Sequence, residues 1–148
     1  MPVQHQPEGY NTVIPYIMAT DAPKLIADLK LIFGATQMDL HTDESGQIRH
    51  AEVKIGDSVI MLAEGGGPYP ASPVTIFVYV PDVDAAYQRA MGQGLTSLRE
   101  PADQFYGDRS AGFKDHSGNT WYAATHVEDV SPEEMKRRME AMAPKETA

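Results

Sequence analysis

The chain repeats itself. Residues 49–54 read RHAEVK and residues 109–114 read RSAGFK, while Val13 corresponds to Val74 and Asp21 to Asp82 at nearly the same offset. A hexapeptide echo alone says little, because Ala, Lys and Arg are common residues. Here order, spacing and turn chemistry agree along with the letters, and that agreement identifies an internal duplication.

Each half starts with a strand-forming run rich in β-branched and aromatic residues, TVIPYIMA at 12–19 and VTIFVYV at 74–80. An amphipathic helix follows in both. In the first half Thr20 or Asp21 supplies the cap, Leu25, Ile26, Leu29, Ile32 and Phe33 recur at helical spacing, and Gly34 ends the helix. In the second, Pro81-Asp82 precedes a helix with Tyr87, Ala90 and Met91 on one face, stopped at Gly92 or Gly94. The period then changes from about 3.6 to 2. IRHAEVKIGDSVIMLAE reads as two strands around Gly56-Asp57, and RSAGFKDHSGNTWYAAT as two strands around residues 115–119. The half-repeat is therefore strand, helix, three-stranded meander. It predicts an α+β fold of two tandem βαβββ modules, residues 10–66 and 73–126, joined by the Gly- and Pro-rich segment 64–73, whose flexibility suits an entrance loop. A third helix is predicted over 131–142, with Ser131 as cap, Pro132 in the first turn and Glu134 completing a capping box.

Composition narrows the function classes. With 148 residues, 42% of them hydrophobic, one globular domain is expected. The absence of cysteine removes disulfides, thiolate metal sites and a cysteine nucleophile. Twenty-one acidic side chains against twelve basic ones give a net charge of -9, a field that repels phosphate backbones, so nucleic acid is not an expected partner. No stretch approaches the roughly 20 apolar residues of a membrane span, and MPVQHQPEGY lacks the pattern of a secretory signal. A cytoplasmic protein with no membrane partner is expected.

The segments VIPYIMATDAPKLIADLKLIFGA, HAEVKIGDSVIMLAE and above all YGDRSAGFKDHSGNTWYAATHVEDVSPEEMKRRM resemble the vicinal oxygen chelate superfamily of glyoxalase, bleomycin-resistance and extradiol-dioxygenase proteins, in its PhnB-like branch. The resemblance spans about Tyr10 to Met139. It implies paired βαβββ modules whose sheets curl into a cup, with helices outside, in a homodimer. Whether modules pair within one chain or are exchanged between subunits stays open. Members that do metal chemistry place four ligands on the first and fourth strand of each module, positions that fall here at Ile14, Met61, Thr75 and Tyr122. None is a usual hard-cation ligand, so the resemblance implies a protein without the family's metal, and no cofactor is predicted.

If those positions face inward, strand alternation turns Tyr16, Met18, Phe77, Tyr79 and Tyr122 inward too, around His50 and Glu52. Ala51, Val53, Ile55, Phe113 and Trp121 then pack under the helices, and Arg109 lies on the outer face. Aromatic walls with a few polar groups suit a small aromatic or amphipathic ligand; the plain alternative is a filled core. His50 and Glu52, two residues apart on one strand, are the candidate catalytic pair. They would serve as a general base with its pKa raised by burial, or as metal ligands completed by His41 or a second subunit. The competing reading is a solvated strand face with Glu52 near Lys54 and Arg49. His116 is expected in an exposed turn, and His126, ending the last strand, and His5, in a mobile leader, are expected to be structural or inert rather than ligands. Two functions follow. One is a binding protein of the bleomycin-resistance type without the usual metal; the other is a lyase, isomerase or dioxygenase using His50 and Glu52. The Met135, Met139 and Met142 stripe of the last helix suits a docking contact within a dimer.

Overall fold

Each half of the duplication builds its own four-stranded mixed sheet. A computed structural model describes residues 2–143. In the first half, β1 (Tyr16–Ala19) leads into α1 (Ala22–Phe33), and the meander β2 (Thr36–Thr42), β3 (Ile48–Ile55) and β4 (Ser58–Glu64) returns so that the sheet runs β1-β4-β3-β2. In the second, β5 (Thr75–Tyr79), α2 (Val83–Gly92), β6 (Thr96–Asp103), β7 (Asp108–Lys114) and β8 (Thr120–His126) give the order β5-β8-β7-β6. β1 is parallel to β4 and β5 to β8, whereas the meander pairs are antiparallel. The register matches the alternation argument: Tyr16 lies opposite Met61, Glu52 opposite Met61 on the other side, and Gly112 opposite Tyr122.

One core serves both halves. Ala51, Val53 and Ile55 of β3 lie with Phe113 and Trp121 in a single buried cluster that includes the inner faces of α1 and α2. Phe33 of α1 stacks on Phe113 and tilts against Trp121, ring centroids 6.1 and 5.5 Å apart, so the first helix closes the core of the second module. The Arg89 guanidinium donates to the Ile32 carbonyl at 2.9 and 3.1 Å, satisfying an acceptor near the end of α1. The β7–β8 turn also crosses to the first module. Ser117 Oγ accepts from the Thr20 amide at 2.8 Å and the His116 Nε2–H donates to the Thr20 carbonyl at 2.7 Å. His116, expected as a plain turn residue, is thus an inter-module clamp.

Local chemistry sets the boundaries. β1 begins four residues later than expected, because Pro15 has no N–H for the ladder and Val13 stays 81% exposed. Asp21, not Thr20, caps α1. It does so in the left-handed region (φ 55°), where the Glu64 carboxylate takes the Asp21 and Ala22 amides at 2.7 Å each. Gly34, at φ 68°, lets the chain leave α1 with its amide on the Lys30 carbonyl.

Two expectations are corrected. The capping box of α3 (Pro132–Met142) is only half built: Ser131 Oγ accepts the Glu134 amide, but the Glu134 carboxylate turns outward to Arg137 and Arg138. The leader is not loose. Gln6 Nε2 donates to the Tyr10 carbonyl at 2.6 Å, and Thr12 Oγ1 donates to Gln6 Oε1 at 3.0 Å, folding residues 6–12 back over the first sheet. Among the described residues no helix is long and apolar enough to cross a membrane.

Candidate ligand-binding site

The face of the first sheet away from the helices carries a chain of polar groups. Tyr16 Oη lies 3.0 Å from His50 Nδ1, and His50 Nε2 lies 2.6 Å from Glu52 Oε2. The Tyr10 hydroxyl donates to the other Glu52 oxygen. Since a carboxylate only accepts, His50 presents Nε2–H to Glu52, and the Nδ1 lone pair accepts from Tyr16. Asp39 sits directly across from Glu52 in the β2–β3 ladder and His41 directly across from His50. His41 Nε2 lies 2.9 Å from Asp39 Oδ2.

Glu52 is only 6% exposed, which excludes the solvated strand face, and neither Lys54 nor Arg49 is its partner; Arg49 pairs with Asp43 instead. Its acidity moves opposite to expectation. Hydrogen bonds from Tyr10 and then His50 hold the Glu52 carboxyl below the usual carboxylate range, outweighing the upward push of burial. A carboxylate held this way orients His50 better than it accepts a proton. The same bond from the other end raises the Tyr10 hydroxyl, and His41 holds Asp39 low.

The five expected ligand-binding residues fall in three places. Tyr16 and Met18 line a recess of about 370 Å³ with Ala63, Gly66, Tyr69 and Arg49. Its outer wall belongs to the inter-module segment, which is pinned: the Gly65 amide bonds the Ala19 carbonyl, the Ser72 amide bonds the Met18 carbonyl, and Gly66 bridges Tyr69. Phe77 and Tyr79 line a separate cleft of about 520 Å³ with Val13, Pro15 and Ile60, between the outer strands of the two sheets. Tyr122 lies on Gly112, where a Cβ would come within 2.9 Å of its ring, and the Arg99 guanidinium sits 5.4 Å from the ring centroid. Arg99 also donates to Ser110 Oγ at 2.8 Å. Arg109 points to the helix side, held by Asp84 and Asp103.

Of the four positions carried over for a family metal, Ile14 and Met61 border one recess with Tyr10 and Glu52, while Thr75 and Tyr122 belong to the second sheet. An alkyl group, a thioether, a hydroxyl and a phenol do not fit a hard cation. Glu64, the nearest carboxylate in sequence to Met61, is spent on the α1 cap.

Sequence reasoning missed Tyr10, Asp39 and Tyr69. Pro7-Glu8-Gly9 is a turn signal placed to fold an aromatic residue back, and Gly9 does take φ 86°. Asp39 and His41 alternate by two along β2, but the register shift between Gln37 and Asp39 that aligns them with β3 leaves no mark in the sequence.

The comparisons agree with this architecture. An uncharacterized protein of Mycobacterium bovis is 30% identical over 136 residues, covering 84% of this chain and 90% of its own. The crystal structure of TioX from Micromonospora sp. ML1 superposes with a TM-score of 0.67 at 24% identity, covering 79% of this chain and 99% of TioX. A PhnB protein from Bacillus cereus superposes at 0.63 with 11% identity, covering 78% of this chain and 99% of that one. At such identities the two structures speak for the fold alone. Residues 17–122 match the Glyoxalase/Bleomycin resistance protein/Dioxygenase superfamily, and the chain belongs to that superfamily.

Proposed function

We propose that the protein binds a small aromatic molecule in the recess between Tyr16 and Tyr69, as a homodimer in which a second copy covers the open faces of the sheets. The observation that carries this reading is the recess itself. Two phenol rings and the Met18 thioether surround about 370 Å³, within the size range of small-ligand pockets. The Tyr16 hydroxyl is fixed by His50 at 3.0 Å, so one oxygen of known direction meets the ligand while the rings supply stacking area. Arg49 stands at the mouth but is engaged by Asp43, which favours a neutral ring system over an acid. The dimer is supported by Tyr16, Phe77, Tyr79 and Leu98, large apolar side chains 45–63% exposed on the faces turned away from the helices.

Calorimetric titration with 2-naphthol tests the reading, with light scattering to count subunits. One ligand per chain is expected, about tenfold weaker for Tyr69→Ala, a loss of about 1.4 kcal/mol, and unchanged for Phe77→Ala. No saturable heat across naphthols and smaller phenols would overturn the reading. So would binding that Phe77→Ala weakens and Tyr69→Ala does not.

A further inference from the structure

Two carboxylates and an imidazole converge across strands β2 and β3. Asp39 faces Glu52, and His41 faces His50, in direct cross-strand register. Ligating atoms of Asp39, His50 and Glu52 all lie within 4.8 Å of one another, and His41 Nε2 touches Asp39 Oδ2 at 2.9 Å. Opposed carboxylates repel at this separation, so the sheet carries a local cost that some positive charge must offset. As found, the partial positive charge of donors on Tyr10, His41 and His50 does this. From the geometry we infer that Asp39, His50 and Glu52 bind one divalent transition-metal ion, outside the corners where related folds hold theirs.

Charge and proton accounting fit. Two carboxylates neutralise a divalent ion, and neutral His50 turns its Nε2 lone pair to it once its one proton has moved from Nε2 to Nδ1. His50 then carries its proton on Nδ1 and donates to Tyr16 Oη, reversing the hydrogen bond now made there at 3.0 Å. An independent feature points the same way: the outer partners are already in place. A ligating imidazole needs an acceptor behind its second nitrogen and a ligating carboxylate needs a donor on its free oxygen; Tyr16 fills the first role and Tyr10 the second. Mixed imidazole and carboxylate donors suit Zn²⁺, Co²⁺ or Ni²⁺ rather than Ca²⁺ or Mg²⁺, which take oxygen ligands alone.

The inference shares Tyr16 with the aromatic recess, but its test reads metal uptake alone. The full chain, made without a histidine tag and stripped with chelator, is titrated with CoCl₂ by visible absorption and with ZnCl₂ by calorimetry near pH 7.5. One ion per chain and a cobalt spectrum of imidazole–carboxylate type are expected. His50→Ala and Asp39→Asn should each weaken affinity by at least about tenfold and Tyr16→Phe by about tenfold, while Met61→Leu leaves it unchanged. Asp39 is half-exposed, so Asp39→Asn decides the matter if His50→Ala fails to fold. No saturable uptake, or uptake that Asp39→Asn leaves intact, would overturn the site.

Discussion

The two modules share a back and differ in front. On the side turned to the helices, Ala51 of β3 corresponds to Ala111 of β7 and Val53 to Phe113, and all four are fully buried. On the open side, Asp39 corresponds to Arg99, Glu52 to Gly112 and Met61 to Tyr122, each in the same ladder register, and His50 corresponds in sequence to Ser110. An acidic, imidazole-rich surface in one half becomes an arginine lying on a tyrosine in the other. The back must fill a common core, where volume is constrained from every side. The open side is free of that constraint, so the duplicated frame carries two different surfaces.

If the backs form one core, damage to either half should unfold both. Phe113→Ala is expected to cost about 3–5 kcal/mol, because its ring fills space against Phe33 of the other module. Denaturation of the variant, followed by fluorescence of Trp121 in the second module and by far-UV circular dichroism of the whole chain, should remain one coincident transition. Separate transitions would show the halves to be independent, and the shared-back comparison would fail.

A smaller contrast lies in the hairpin turns. The first module turns in two residues, and exposed Asp57 meets only its neighbour Ser58. The second turns in five, wired around buried Asp115, which accepts from the Ser117 and Asn119 amides, from Asn119 Nδ2 and from Trp121 Nε1 at 2.8–3.0 Å. Asp115→Ala leaves several buried donors unmet and should cost about 3 kcal/mol. Asp57→Ala should stay within about 0.5 kcal/mol. Equal costs in chemical denaturation would erase the distinction between a hard-wired turn and a free one.

These differences explain what was legible in advance. Strand, helix and meander order could be read from period and punctuation, because Gly34, Asp82 and the apolar spacing act locally. So could the inward register of Glu52 and His50, since a two-residue turn leaves one pairing. The meeting of Asp39 with Glu52 could not, because it depends on a bulge. Nor could Tyr10, which reaches Glu52 across 42 residues through a folded leader. The sign of the Glu52 shift was misjudged for the same reason: burial was foreseeable, whereas the two donors that outweigh it arrive by tertiary structure.

The ionisable groups on the two sides offer the finest test, since they bend stability in opposite directions with pH. Glu52 titrates low in the folded chain, held by Tyr10 and His50, so its contribution is present above the ordinary carboxylate range and is lost as pH falls through the depressed value. Glu52→Gln should flatten the fall in melting temperature between about pH 5 and pH 3. In the second module His126 bridges Asp108 and Asp129 at 2.8 and 2.7 Å, and Asp108 also takes the Tyr79 hydroxyl at 2.8 Å. Those carboxylates, Asp108 foremost, raise His126 above its ordinary value. Its contribution is therefore complete below about pH 6.5 and fades as pH climbs through the raised value. His126→Gln should remove a decline on the alkaline side while leaving the acid limb alone. This effect should be the smallest, because the His126 ring is half in water and solvent screens the pair. An alkaline decline that persists in His126→Gln would assign that limb to another group and leave the Asp108 cluster without a measurable share in stability.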